Sequence, residues 1–454
     1  MSGAGLTILS TLVVIGLLVF VHELGHFLAA KWAGIYVHRF SLGLGAPIRA
    51  LSFRRGETEY SVSWLPLGGY VKMASALEDA GSALEGGQAG VEVPPDRMFE
   101  AKPVWVRMVV ILAGVVMNGL FAWLVFSGLV YFKGIPIFPS TVVAAVDSAG
   151  LPPGAESLRQ LQYGDRIVSI DGAPVSSWQA VQRSWLAEGD SVRIGLDGGR
   201  VVSVPRGVEA ERRQAVRAIR PWLPPVIGTV VAGRPGAKAG LAEGDTVVTF
   251  DGEPIREWRD MVSRIEARAD QPVTLVVGRA GGRVTITATP APEDAVDSAG
   301  VKRTVGRLGI AGPLIPDARE PVGLGAALAA GGRQTVFIGG QIVGLVRGMF
   351  AGRVSTRELG GPIAIGVAAG ESVRRGAEEY LMFMAAISVN LAVLNLLPIP
   401  ILDGGQFLFL LAEGVTRRPV TGRVREWLTM AGLVAIVMLM VLAFSNDIRR
   451  LLGF

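Results

Sequence analysis

The sequence predicts a polytopic α-helical membrane protein: four transmembrane helices, with two β-rich domains inserted between the second and third spans. Three observations carry this. Only 18% of the 454 residues are charged, against about 25% in a soluble protein. Four stretches reach the roughly 20 apolar residues that a helix needs to cross a hydrocarbon core. And one pattern occurs twice in the long segment between the second and third of them.

The first span covers residues 4–28 if the ionisable "HELGH" at its end lies in the membrane. It lacks a basic leader and exceeds the usual signal-peptide core, which predicts a retained helix. The second covers 108–132, the third 380–402 and the fourth 427–446. A stretch at 334–346, between Arg333 and Arg347, is too short to span; Phe337, Ile338, Ile342, Leu345 and Met349 recur at helical spacing. It predicts an amphipathic, membrane-associated helix over 322–352, on the membrane or packed on the bundle. Lys and Arg crowd 29–107 and the loop with Arg417, Arg418, Arg423 and Arg425. The positive-inside rule then makes that side cytoplasmic, with both termini and residues 133–379 outside.

Composition excludes several classes. The net charge of +5 is small for this length and gives no sign of a nucleic-acid partner. With no cysteine, thiolate zinc clusters, disulfides and a Cys nucleophile are ruled out. Three histidines remain: His22, His26 and His38.

"YGDRIVSIDGAPVSSW" (163–178) returns as "EGDTVVTFDGEPIREW" (243–258). Each copy reads as a strand, an Asp-Gly turn and a short helix carrying the Trp. The signature, with "GRPGAKAGLAEGD" ahead of the second copy, resembles bacterial PDZ domains. That resemblance implies folds that take an extended peptide as an added strand, often by its C-terminal carboxylate. Peptide C-termini are thus expected partners, though such a fold can also serve only as a wall or filter.

His-Glu-x-x-His on a helix sets His22 and His26 at i and i+4, where both imidazoles reach one Zn²⁺ with Glu23 beside its water. A carboxylate at membrane depth costs about 2.5 kcal/mol or more, so function is its default explanation. Zinc wants a third protein ligand. Ala29 and Trp32 stand where the metzincin extension needs Gly and His, and His38 lies past Gly34 as an ordinary interfacial residue. A carboxylate remains, and Asp403 in "NLLPIPILDGG" (395–405) meets the third span. Its two prolines break the helix there, which a bilayer tolerates only beside protein or water.

HExxH in the first span with N-x-x-P-x-P-x-LDG in a later one resembles the site-2 protease family of intramembrane zinc metalloproteases. Two tandem PDZ domains narrow the likeness to the regulator-of-sigma-E protease type, and it covers the whole chain, "ELGGPIAI" (358–365) included. The resemblance implies one Zn²⁺ on His22, His26 and Asp403, with Glu23 as general base. It makes Asn395 and Asn390 substrate-binding, and Asn118 too, although Val115 stands where the family often has Pro. It implies single-span membrane substrates already cut outside, such as a site-1-cleaved anti-sigma factor, or remnant signal peptides. The cell compartment is then a bacterial inner membrane, with the PDZ domains periplasmic and the active site near the cytoplasmic side. "EYSVSWLPLGGYVKM" (59–73), paired with a strand around 46–53, would be a re-entrant hairpin whose edge pairs with unwound substrate. Residues 74–100 read as a flexible cytoplasmic loop.

The expected organisation is 1–132 for the first two spans, 136–221 and 222–315 for the two PDZ domains, 322–352 for the amphipathic helix and 353–454 for the last two spans. Two rival readings stand beside the protease: a scaffold with structural zinc, and a zinc transporter. A structural site is usually closed by four protein ligands, and a transporter would need further acidic or His residues along a path.

Overall fold

The computed structural model describes residues 3–75, 93–296, 302–313, 318–352, 360–418 and 420–452. Most of the 74–100 segment, and Glu358 and Leu359 of "ELGGPIAI", therefore lie outside the described residues. The chain divides into two compact units, Met1–Gly134 with Pro321–Phe454, and Ile135–Glu320.

The first unit is built on helices. α1 (Gly3–Trp32) and α2 (Val104–Lys133) are the first two of the four helices among the described residues that are long and apolar enough to cross a membrane. They pack closely because both are glycine at the crossing: a Cβ on Gly25 would strike the Ala113 carbonyl and Gly114 Cα. Small residues that let backbones approach are what holds helices together in lipid, where burial of apolar surface gives no drive.

A sheet fills the connection between α1 and α2. β1 (Val37–Pro47) and β2 (Phe53–Arg55) both pair with the long β3 (Thr58–Met73). β3 flanks β1 twice: Phe40 faces both Val71 and Tyr60, and Leu42 faces both Gly69 and Val62. The main partner of β3 is therefore residues 37–47 rather than 46–53, where Arg49–Leu51 form a 3₁₀ turn. The turn at Glu57 is tied to the end of α1, since its carboxylate accepts from Lys31 Nζ (2.5 Å) and Arg97 Nη1 (2.7 Å).

The second unit contains the duplicated pattern. Its helices are α3 (Trp178–Trp185), α4 (Glu209–Ala218), α5 (Pro235–Ala239) and α6 (Trp258–Glu266). Strands 167–170, 173–174, 191–196 and 201–205 form one four-stranded sheet, and 246–250, 253–254, 273–279 and 282–288 form another in the same order. The Asp-Gly pairs explain the match. Asp171 and Asp251 have φ of 52° and 49°, followed by Gly172 and Gly252 at 83° and 84°. Two successive positive φ values make the tight hairpin turn that Asp-Gly favours. Each Asp carboxylate also accepts from the neighbouring strand, from the N–H of Arg193 or of Thr274, at 2.8 Å. α3 and α6 then bury Trp178 and Trp258 in separate cores.

Back in the first unit, α7 (Leu324–Phe350) packs on α2 and on α9 (Ala377–Asn395). Trp123 Nε1 donates to the Leu328 carbonyl (2.8 Å), and Ile338 and Ile342 join a core with Ala122, Phe126, Ala385 and Val389. α8 (Pro362–Arg375) lies on α1, and the third candidate span, α9 (Ala377–Asn395), stops at Asn395. Residues 396–402 form the turn that the two prolines predict. α10 (Asp403–Thr416) begins at the acidic residue itself, and α11 (Gly422–Leu452) is the fourth candidate span. Trp32, Trp105 and Trp427 are exposed, at the end of α1 and near the starts of α2 and α11. Arg107 at the start of α2 bonds Glu413 near the end of α10 (2.5 Å), so both basic loops lie at one end of the unit.

Candidate active site

His22 and His26 sit one helical turn apart on the buried face of α1, each less than a tenth exposed. Their Nε2 atoms are 3.2 Å apart. Asp403 Oδ2 reaches to 3.2 Å from His22 Nε2 and 3.6 Å from His26 Nε2. Among the described residues this is the group of His, Asp and Glu whose ligand atoms could hold a metal.

The donor set fits a metal ion on three counts. The first is the tautomer of His26. Its Nδ1 lies 2.9 Å from the Val110 carbonyl, which can only accept, so Nδ1 carries the proton and Nε2 presents a bare lone pair. The second is Asp403 Oδ2, a buried atom with no hydrogen bond of proper geometry. Such an atom demands an explanation, and a cation supplies it. The third is spacing. Four ligands about 2.0–2.1 Å from a tetrahedral zinc lie about 3.3–3.4 Å from one another, which matches the distances above.

A surrounding layer orients these three side chains. The side chain of Asn118, fully buried on α2, lies 3.2 Å from His22 Nδ1. As placed, its amide nitrogen faces the ring and its Oδ1 is buried without a partner. Exchanging the two amide ends gives Oδ1 a donor: it accepts from Nδ1–H, leaving His22 Nε2 bare like that of His26. Ser388 Oγ on α9 donates to the Asn118 carbonyl (2.9 Å), which fixes α2 against α9 at this depth.

Glycines make the space. A Cβ on Gly114 would collide with both imidazoles. Gly404 and Gly405 let α10 start directly over the proline turn, since side chains there would strike the backbone at Leu396–Pro400. On the sheet side, a Cβ on Gly69 of β3 would come within 3.0 Å of Glu23 Cγ. Glu23, half-buried, interacts electrostatically with His26, His22 and Asp403.

The remaining residues from the sequence fall around this cluster. The Asn395 amide, at the last turn of α9, lies 3.4 Å from His22 Nε2. Asn390 is half-buried on the same helix. His38 lies on β1 against Tyr36, with ring centroids 4.8 Å apart. Sequence reasoning did not find the Val110 carbonyl, a backbone group that no side-chain pattern announces, or Gly69, whose adjacent Gly68 gave the only hint.

Three acceptor atoms turned on one point, a carboxylate beside it and amides at its rim form a site equipped for metal-assisted hydrolysis. Comparison with known proteins agrees. The profile of Peptidase family M50 matches residues 10–439. The regulator of sigma-E protease RseP of Escherichia coli is 31% identical, over 97% of this chain and 98% of its own length. Protease RseP of Yersinia pestis is 32% identical over the same shares. A protein of Neisseria meningitidis named "Putative zinc metalloprotease NMA0084" is 30% identical over 98% of this chain and all of its own. The chain belongs to peptidase family M50, the site-2 proteases, and is a zinc metalloprotease of that type.

Proposed function

We propose that this chain is an intramembrane endopeptidase that cuts the transmembrane segment of single-span proteins whose ectodomain has already been removed. The observation that carries it is the convergence of His22, His26 and Asp403 between helices apolar enough to span a membrane. A site-1-cleaved anti-sigma factor fits this substrate class, as do remnant signal peptides. The regulator-of-sigma-E name borne by relatives supports the former.

In this reading His22, His26 and Asp403 hold one zinc ion. When bound, zinc would supply Lewis acidity, polarising the scissile carbonyl and lowering the pKa of a water towards about 7. Glu23 takes the proton from the attacking water at its carboxylate oxygen and delivers it to the departing amide nitrogen. Asn118 acts through His22 by holding its ring. Asn395 and Asn390 line the approach and hydrogen-bond the substrate backbone. That backbone must first leave its helix, because a helical peptide bond is shielded by its own hydrogen bonds. The sheet of β1–β3 beside Glu23 supplies an edge for the unwound strand.

The basic loops belong in the cytoplasm and the duplicated unit outside a bacterial inner membrane. The two repeats are PDZ domains, covering 136–221 and 222–315, that exclude untrimmed ectodomains and accept peptide C-termini. A cavity of about 130 Å³ between α6 and Gly306–Ile310 supports peptide capture by the second repeat. A closed four-ligand structural site and a transport path are both disfavoured, since the described residues offer three ligands and no further acidic or His group joins them.

The test is cleavage by purified protein of a model single-span substrate lacking its ectodomain. Cleavage that stops with a zinc chelator and returns with zinc supports the reading. An intact substrate under zinc-replete conditions refutes it.

A further inference from the structure

Asp403 raises a question of support. Both histidines have hydrogen-bonded partners at Nδ1, the nitrogen turned away from the cluster, whereas among the described residues no hydrogen bond holds the Asp403 carboxylate from behind. No side chain caps the first turn of α10 at Leu402. The carboxylate is therefore only as well placed as the start of α10, and α10 starts on a turn that two prolines have stripped of backbone donors.

Gln406 braces that turn. It lies one helical turn beyond Asp403, and its Nε2 donates to the Pro400 carbonyl at 2.9 Å. Its backbone N–H closes the first helical bond to Leu402 at 3.0 Å. Its Oε1 accepts from Arg425 Nη2, on the first turns of α11, at 2.8 Å. Because a guanidinium can only donate, Arg425 fixes which end of the Gln406 amide points at Pro400. Further along α11 a Cβ on Gly432 would press on Pro400 and Ile399. The turn is thus gripped between α10 and α11, with Gln406 as the polar link. Gln406 and Arg425 also border a cavity of about 380 Å³, so the link sits at the edge of the helix packing.

We infer that Gln406 is a positioning residue for the metal site: held by Arg425, it fixes the proline turn and the start of α10, and so the ligand Asp403. The inference rests on the zinc-protease reading above. Its removal loosens the metal site without touching a ligand or the general base. Outer-layer partners of metal ligands typically contribute ten- to a hundred-fold in affinity or activity, and an effect of that order is expected here.

The test uses the full chain, purified and zinc-loaded in detergent. Zinc transfer to a chromogenic chelator is timed, and kcat and KM are measured on a single-span substrate. Gln406→Met removes both contacts. Gln406→Glu keeps the acceptor for Arg425 and loses the donor to Pro400. Both variants are expected to release zinc about ten- to a hundred-fold faster than wild type, with kcat falling in step and KM within about twofold. Arg425→Met should move zinc release in the same direction, and Arg425→Lys, which still donates, should recover most of that loss. A purely architectural role would lower the yield of folded protein and leave zinc release from the folded fraction unchanged. Wild-type zinc release in Gln406→Glu and Arg425→Met overturns the inference even if Gln406→Met fails to fold. A wild type that neither holds zinc nor cleaves overturns the zinc-protease reading instead.

Discussion

His22 Nε2 lies 3.2 Å from Asp403 Oδ2, although most of the chain separates them in sequence. α1 carries one and the start of α10 the other, and neither helix alone can hold a metal. Replacing Asp403 by Ala should therefore abolish zinc retention and cleavage together, with the protein still folded. Metal analysis of the purified variant checks this. Zinc retained at the wild-type ratio would remove Asp403 from the ligand set.

Asn118 is expected to act through His22. Asn118→Ala should lower zinc affinity or kcat about ten- to a hundred-fold, leaving KM for a single-span substrate nearly unchanged. A rise in KM alone would instead place Asn118 in contact with substrate, as the family likeness suggested.

Gly114 is predicted to be intolerant of even a methyl group. Gly114→Ala would push into both imidazoles, and overpacking of this kind costs about 1–3 kcal/mol. Here the strain falls on the two imidazoles, so the variant should lose zinc before it loses its fold. Thermal unfolding beside metal content separates the two effects.

Glu57 gives a pH dependence whose sign can be worked out. The Arg97 guanidinium, opposed by partial burial and aided by the Lys31 ammonium, holds the Glu57 carboxyl below its usual range. A depressed carboxyl stabilises the fold fully above its unfolded value, about 4.3. That contribution is lost as pH falls through the lower folded value. Protection factors of the amides in residues 37–73, with the intrinsic pH dependence of exchange divided out, should accordingly fall on acidification in wild type. In Glu57→Gln they should be lower at neutral pH and respond less to acid.

Much of this site was legible in the sequence because its signals are local. The spacing of His22 and His26 follows from helix geometry, and Asp403 stood out as a carboxylate ending an apolar run at a proline break. The Asp-Gly turns at 171 and 251 were legible for the same reason: the dihedral angles they need are a property of two residues. What the sequence hid is tertiary. β1 reads poorly as a strand because "SLGLGA" carries four small or flexible residues, so the sequence points to a partner too far along the chain. The docking of α7 depends on Gly331 and Gly339 meeting Ser127, Val389 and Val393, contacts that no periodicity encodes. The Val110 carbonyl that sets the His26 tautomer is backbone, and the opposite pull of Pro400 and Arg425 on Gln406 exists only once α11 has folded back.

The most direct test of the central claim compares wild type with Glu23→Gln, purified side by side, for zinc content and for cleavage of a single-span substrate without its ectodomain. The account predicts equal zinc in both proteins and cleavage by wild type alone, since Glu23 is the proton carrier and not a ligand. Cleavage by Glu23→Gln at a rate near wild type would contradict it.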